Sequence, residues 1–401
     1  MIFNQRLALL TLSLALPILT GFGPSRPVPL PAPEPQIGFT TAPRADVFRL
    51  WLDSRTGSTP KVWLGTDTDN LATAGVQVWD NGPIAREVYS TRDASLPPGN
   101  GRTELTAIGF QGDRTFVAVR GGPGARPTKG GSWIESSDRN GPTDWQVEFT
   151  ASNSWNFLVR GIEVLASGEV MAWGTSDFEQ SCGGNGLLAW TAVRDSNGNW
   201  SQTKLPNSFC NEVPLGILAS VTGRDIWLLT QSGVLLGEAG SQSWQRTLQW
   251  SAGNALQGKT QSNSAVLLFN DGSLRQWRPG TQTLQFIANS PAGALLPAAN
   301  QARWYAGRSG WDATGSDSAA WVTSGYKQRV HCHQPIIIIP MPGPVGNPCV
   351  DLISHVWTWN GQAWKLAAST YGNSISGVFI TGMGTLLMPE HGMVKTLRLT
   401  P

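Results

Sequence analysis

The residues with the clearest capacity for chemistry are a cysteine and the histidines around it. His331, Cys332 and His333 are consecutive, and His355 follows further along the chain. Imidazole and thiolate groups are ligands of zinc and copper, so this cluster suggests a metal site. In an extended segment, however, the two histidines share one face while Cys332 points to the other, and in an oxidising compartment a disulfide competes for the thiolate. We therefore expect no metal or other cofactor, with His331 and His333 as weak metal candidates only.

The four cysteines predict two disulfides. Their proximity in the sequence favours Cys182 with Cys210 and Cys332 with Cys349, and the other two connectivities stay open. The second bridge would enclose an apolar loop, which either folds back on its own domain or presents a binding surface to a partner. The residues proposed for that surface are Ile336, Ile337, Ile338, Ile339 and Met341.

Catalytic patterns do not stand out in the sequence. No Ser-His-Asp arrangement and no phosphate-binding glycine loop is recognisable. Catalytic carboxylates that come from distant strands leave no local signature in a single sequence. We assign no catalytic residue and expect a binding module rather than an enzyme.

The composition indicates which elements must position these residues. The chain has 401 residues, of which 46 are Gly and 27 are Pro, while charged residues make up only 14%. Frequent turn formers and few charges favour strands and turns over solvated helices. The formal net charge is +2 and no dense run of Lys and Arg occurs, so we exclude nucleic acid as a partner.

The N-terminal segment predicts export followed by a tether. Arg6 precedes the apolar stretch Leu7–Leu19, and we assign residues 1–23 to a signal peptide, with a retained signal anchor as the alternative. Residues 24–36 place proline at nearly every second position, which favours an extended linker. We expect a secreted, periplasmic or cell-surface protein whose membrane contact is limited to an uncleaved anchor.

A unit of short strands recurs through residues 37–401. Its second strand recurs at intervals of roughly 40 to 65 residues, which brackets the period of four-stranded propeller blades. We predict a single all-β propeller with seven four-stranded blades, six being the alternative, and an insertion loop at 326–352; the period disfavours a pair of β-sandwiches. The predicted second strands begin at Lys61, Arg114, Glu169, Asp225, Ser264, Ser318 and Thr385.

Tryptophan marks the hairpins of this unit. Trp79, Trp277 and Trp359 each stand just before a turn whose glycine can adopt a positive φ. Most of the 19 Trp are therefore expected to pack between blades. Trp155 and Trp311 lie outside the repeated positions, and we expect them to be surface aromatics that stack on a ligand.

The last unit shows only three strands, at about residues 375–380, 384–388 and 393–399. Its outer strand is predicted to come from Ile37–Thr41, ahead of the first blade near Asp46. Such an N-terminal strand would close the ring and leave few free edges.

Two hairpins resemble the aspartate box of the BNR-repeat propellers, the group that includes sialidases and YCF48-like assembly factors. In that box a Ser-x-Asp-x-Gly-x-Thr-Trp turn joins the two outer strands of a blade. Asp195, Gly198 and Trp200 supply a short version. The resemblance implies a propeller and a stabilised turn rather than an active site. The fuller version, with two extra residues, consists of Ser136, Asp138, Gly141, Thr143 and Trp145.

The same resemblance implies what each kind of relative would need. Phe48-Arg49-Leu50 is similar to the start of the sialidase Phe/Tyr-Arg-Ile-Pro motif, but Trp51 replaces the proline, and none of the four Tyr can be paired with the Glu that the sialidase nucleophile requires. A YCF48-like role would bring an arginine-rich patch, whereas the arginines here are scattered. We expect a non-enzymatic scaffold that binds an extracellular or envelope protein or glycan, with a glycoside hydrolase or lyase of propeller fold as the alternative.

Overall fold

The computed structural model describes nineteen stretches of the chain. The parts of the chain outside them include residues 1–36, Trp155 and residues 329–349. The predicted signal peptide, the linker, His331, His333, the second cysteine pair and the apolar loop therefore lie outside the described residues. The described residues are 37–38, 45–53, 61–68, 74–79, 86–90, 103–121, 131–138, 144–152, 157–165, 167–184, 186–220, 224–261, 263–291, 304–313, 319–328, 350–371, 378–380, 385–390 and 393–398.

Six four-stranded antiparallel sheets each consist of four strands that are consecutive in the chain, and we number them sheets 1 to 6. Their strands are β2 (Ala45–Asp53), β3 (Lys61–Thr68), β4 (Ala74–Trp79) and β5 (Arg86–Ser90) in sheet 1; β6 (Thr103–Gln111), β7 (Arg114–Gly121), β8 (Gly131–Ser137) and β9 (Gln146–Ser152) in sheet 2; β10 (Phe157–Val164), β11 (Val170–Glu179), β12 (Gly186–Arg194) and β13 (Trp200–Lys204) in sheet 3; β14 (Pro214–Ala219), β15 (Asp225–Thr230), β16 (Gly233–Glu238) and β17 (Gln245–Gln249) in sheet 4; β18 (Ala255–Gln261), β19 (Ser264–Phe269), β20 (Ser273–Trp277) and β21 (Gln285–Asn289) in sheet 5; and β22 (Trp304–Ala313), β23 (Ala319–Gln328), β24 (Val350–Trp359) and β25 (Trp364–Tyr371) in sheet 6.

A further sheet, the terminal sheet, joins the two ends of the described chain. It contains β1 (Ile37–Gly38), β26 (Phe379–Ile380), β27 (Thr385–Glu390) and β28 (Met393–Arg398) in the order β1-β28-β27-β26. Ile37 lies opposite Val394, so the predicted N-terminal segment pairs with the last strand. In the described residues helix is confined to two short 3₁₀ turns, Gln180–Cys182 and Asn207–Phe209.

The all-β prediction is confirmed, and each predicted second strand is the second strand of its sheet. These strands are apolar runs, and β19, with sequence SAVLLF, is buried at every position. A strand that is covered on both faces needs such a continuous apolar run. The outer strands are polar by contrast: four of the five residues of β17 are exposed, which suits the solvent-facing edge of a sheet.

The sheets pack face to face on their neighbours in chain order, and this succession of four-stranded meanders is the architecture of a β-propeller. Separate apolar clusters fill the interfaces from sheets 1 and 2 through sheet 6 and the terminal sheet. β27 of the terminal sheet in turn contacts β2 of sheet 1. The buried tryptophans confirm the packing role predicted for most of them, since Trp63, Trp133, Trp190 and Trp321 are among the largest fully buried side chains.

The first strand of each of sheets 1 to 6 carries a β-bulge near its beginning. The register shifts after the first or the third residue of every one, for example between Val159 and Gly161 in β10 and between Ala255 and Gln257 in β18. A bulge moves one residue out of the ladder and turns its side chain away from its neighbours. In β10 that residue is Arg160 and in β18 it is Leu256, and both side chains are exposed.

Candidate functional site

Sheets 2 and 3 have two chemically different ends. The hairpin end carries the turns between the first and second strands and between the third and fourth strands. The connection end carries the link between the second and third strands. Both sequence boxes lie at the hairpin end, and the first cysteine pair lies at the connection end of sheet 3.

The hairpin end is held together by Glu148 of β9. Its Oε2 accepts a hydrogen bond from Arg194 Nε of sheet 3 at 2.6 Å, and its Oε1 accepts one from Arg114 Nη1 at 3.0 Å and one from Ser136 Oγ at 2.6 Å. Trp200 Nε1 donates to Oε2 at 3.3 Å. Burial alone would raise the pKa of Glu148, but the hydrogen bonds from Ser136, Arg194 and Trp200 and the charge of Arg194 lower it overall.

A cavity of about 510 Å³ opens beside this network. Arg114 forms one wall, fixed by a bidentate pair with Asp138 at 2.5 and 2.9 Å. Asp144, Trp145 and Gln146 line the rest, at the start of β9. Among the described residues no partner to the Asp144 carboxylate or the Gln146 amide is found, and both side chains are exposed. The cavity therefore combines a rigid wall with two hydrogen-bonding groups that are available to a ligand.

The short box forms a tight turn at the hairpin end of sheet 3. Asp195 Oδ1 accepts hydrogen bonds from the backbone N–H groups of Asn197 at 2.9 Å and Asn199 at 2.8 Å, and Gly198 adopts φ +88°. The bond from the Asn199 backbone is the main reason that the pKa of Asp195 is lowered. This is a structural turn, which is the role that the resemblance implied for it.

The connection end of sheet 3 is fixed covalently. The predicted Cys182–Cys210 disulfide is confirmed, with the two Cα atoms 5.5 Å apart. It ties the 3₁₀ turn after β11 to the segment that leads into sheet 4. Asn211 adds a second tie, since its Oδ1 accepts a hydrogen bond from Leu187 N at 3.2 Å and its own N–H donates to Leu187 O at 2.8 Å.

Two non-glycine residues of the described chain have positive φ, and both lie at this end. They are Phe178 with φ +60° and Asn211 with φ +65°. Asparagine tolerates this conformation, whereas a bulky aromatic residue rarely adopts it. Phe178 occupies a bulge between Asp177 and Glu179, and its side chain is 51% exposed. The frame thus holds an exposed phenyl ring in a backbone conformation that the residue itself disfavours.

Glu179, the residue that follows Phe178, is held by polar partners. Glu179 accepts hydrogen bonds from Ser176 Oγ and from Lys204 Nζ, the latter at 2.6 Å, and Lys204 also lies 5.3 Å from the centroid of the Phe157 ring. Burial would raise the pKa of Glu179, but these bonds lower it overall.

Two ionisable residues of β10 lie along the first strand of sheet 3. The Arg160 Nε donates to Thr175 Oγ1 at 3.3 Å, and the side chain is otherwise exposed. Glu163 is half-buried, and burial raises its pKa to about 7. Within the described part of the chain no hydrogen bond or ion pair to the Glu163 carboxylate is found.

The structure corrects one predicted site residue. Trp311 is not a surface aromatic: it is only 4% exposed in the interface between sheets 5 and 6, and its Nε1 donates to Gln257 Oε1 at 2.7 Å. The prediction failed because an isolated position in the sequence does not show which face of β22 is covered. Trp155 and the residues Ile336 to Ile339 and Met341 lie outside the described residues, so their predicted binding role stays a prediction.

The described residues offer no assembled metal centre. No group of three or more His, Cys, Asp or Glu side chains that could hold an ion is found among them. His355 is half-buried and its ring lies 6.3 Å from that of Trp357. In the same part of the chain no helix is long and apolar enough to cross a membrane.

No protein-family model and no curated protein matches the sequence. Solved structures that are similar to it include the following two. YCF48 from Cyanidioschyzon merolae, a β-propeller, has a TM-score of 0.39 at 12% identity over 75% of this chain and 97% of its own. The computationally designed Ika8 protein has a TM-score of 0.43 at 11% identity over 92% of this chain and 100% of its own. We draw no function from either likeness.

Proposed function

We propose that the protein is a secreted or envelope-associated, non-enzymatic β-propeller that binds a protein or a glycan at the connection end of sheet 3. In this proposal the terminal sheet is the seventh blade, and the pairing of Ile37 with Val394 closes the ring. A closed ring provides a rigid frame, and such a frame suits a binding surface built from the loops between its strands.

The observation that carries the proposal is Phe178. A residue held at positive φ costs about 1–3 kcal/mol, and such strain persists where the surrounding structure imposes it, most often at ligand contacts. Here the Cys182–Cys210 bridge and the Asn211 bonds supply the frame, and the 51% exposed ring is the part that they present. An aromatic anchor that is rigid before binding loses little conformational entropy on binding.

The test compares two equally exposed phenylalanines. Phe286 is also 51% exposed, but it lies on the outer strand β21. We expect Phe178→Ala to weaken binding of the partner protein or glycan by roughly 30-fold, because truncation of an aromatic anchor costs about 2 kcal/mol. We expect Phe286→Ala to leave binding unchanged. A glycan array and crosslinking to isolated envelopes give the readout, and equal effects of both variants would refute the site.

Glu163 favours a second candidate, a glycoside hydrolase or lyase. A carboxyl group whose pKa is raised to about 7 is protonated at the pH at which a general acid must act. Hydrolysis of chromogenic glycosides that disappears in Glu163→Gln, while Phe178→Ala remains active, would favour the enzyme over the binding module.

A further inference from the structure

The cavity at the hairpin end of sheet 2 has the features of a ligand site that is separate from Phe178. Its volume of about 510 Å³ lies within the usual range for small-molecule pockets, roughly 300–1,000 Å³. Its lining is unusual for such a pocket because nearly every side chain is charged, a hydroxyl or an amide, and Trp145 is the one aromatic residue among those that line it. A ligand that fits must therefore be polar over most of its surface.

The wall of the cavity is preorganised. Arg114 is fixed by Asp138 and Glu148, and Glu148 is fixed in turn by Ser136 and Arg194. Trp145 is equally constrained: its Nε1 donates to Val88 O at 2.6 Å, and its ring packs edge-on against Tyr89 with centroids 5.0 Å apart. Binding requires no rearrangement of these groups, which lowers its entropic cost.

The charge balance of the described lining residues disfavours anionic ligands. The two arginines of the network, Arg114 and Arg194, neutralise Asp138 and Glu148. Among the described lining residues, Asp144 then remains as a carboxylate without a paired cation. An anion would meet this charge with both guanidinium groups already engaged by carboxylates, so phosphate, sulfate and acidic sugars are disfavoured.

The exposed carboxylate and amide of the lining match the hydroxyl groups of a neutral sugar. The Asp144 carboxylate can accept hydrogen bonds from two hydroxyl groups, and the Gln146 amide can both donate and accept. Trp145 stands between them in the chain and is half-buried. We propose that this cavity binds a neutral oligosaccharide, with Asp144 and Gln146 as its hydrogen-bonding residues. The site goes beyond the proposed function, since it lies at the end of the sheets opposite Phe178.

The experiment uses the full chain and soluble neutral oligosaccharides, measured by calorimetry beside sulfated and polyamine probes. Asp144→Ala and Gln146→Ala remove exposed side chains, so both variants should fold, which thermal unfolding verifies. We expect each to weaken neutral oligosaccharide binding by at least tenfold. Asp113→Ala is the matched control, because Asp113 is an exposed carboxylate in the neighbouring β6–β7 turn that does not line the cavity.

Three outcomes would overturn the inference. They are the absence of neutral oligosaccharide binding to the unaltered protein, an equal loss in Asp113→Ala, and binding of the polyamine or sulfated probe alone. Parallel measurements on Phe178→Ala distinguish failure of the cavity site from failure of the proposed function. If Phe178→Ala abolishes partner binding while Asp144→Ala has no effect on any sugar, the connection-end site stands and the cavity site fails.

Discussion

The two ends of sheet 3 solve the same structural problem by different chemistry. At the hairpin end, Glu148 of sheet 2 pairs with Arg114 of its own sheet and with Arg194 of sheet 3, and the turn at Asp195 closes on its own backbone hydrogen bonds. At the connection end, a disulfide does the linking and the side chain of Phe178 is left exposed. Cohesion at the hairpin end depends on ion pairs, whereas the connection end has a covalent bridge.

The largest loss of stability is expected when the disulfide at the connection end is removed. In the double variant Cys182→Ala/Cys210→Ala, we expect the free energy of unfolding to fall by about 3.5 kcal/mol, because the bridge closes a loop with a sequence separation of 28. Denaturant unfolding of the oxidised protein and the variant measures this. A loss below about 1 kcal/mol would show that the Asn211 bonds suffice, and the contrast between the two ends would disappear.

Removing the ion pairs at the hairpin end should lower the free energy of unfolding by nearly as much. Glu148→Ala is expected to cost about 3 kcal/mol, since it leaves Arg194, whose side chain is only 12% exposed, without its carboxylate. Lys204→Ala is the control, because it breaks an ion pair with Glu179 in which the lysine is 44% exposed, and we expect it to cost less than about 1 kcal/mol. Similar losses in the two variants would contradict the assignment of Glu148 as a hub.

Glu163 should make the stability of the protein depend on pH. Its pKa of about 7 in the folded state exceeds the ordinary value of 4.5, so the folded state binds more protons than the unfolded state between these values. The stability associated with Glu163 is therefore present below about pH 4.5 and is lost as the pH rises through 7. We expect a loss of about 2 to 3 kcal/mol relative to Glu163→Gln, measured by urea unfolding at pH 5 and pH 8. Parallel pH profiles of the two proteins would argue against this.

The sequence predicts the strands better than the sites, for physical reasons. The second strands are apolar runs that need no distant partner to be recognised, and Trp277 and Trp359 do precede turns in which Gly280 and Gly361 have positive φ. Local composition was therefore enough to predict the repeat.

The site residues depend on contacts that the sequence does not show. Glu148 and Arg194 are far apart in the chain and meet only because sheets 2 and 3 pack together. Phe178 contradicts its own backbone preference, so no propensity could reveal it; the nearby Cys182 and the Gly183-Gly184 pair were its only signal. The prediction that Trp311 is a surface aromatic was wrong because Trp311 lies opposite Trp321 in β23, where it is buried.

The smallest expected effect is a difference in stability between glycine and alanine variants at Phe178, and the sign of this difference tests whether the backbone there is strained. At φ +60°, glycine avoids the clash that any Cβ atom makes, so Phe178→Gly should be more stable than Phe178→Ala by about 1 kcal/mol. At Phe286, which lies in the outer strand β21 and is not among the residues with positive φ, the order should reverse, and Ala should exceed Gly by roughly 0.5 to 1 kcal/mol. Thermal and urea unfolding of the four variants measure both differences. If alanine is the more stable replacement at both positions, the backbone at Phe178 is not strained, and the frame formed by the disulfide and Asn211 does not impose its conformation.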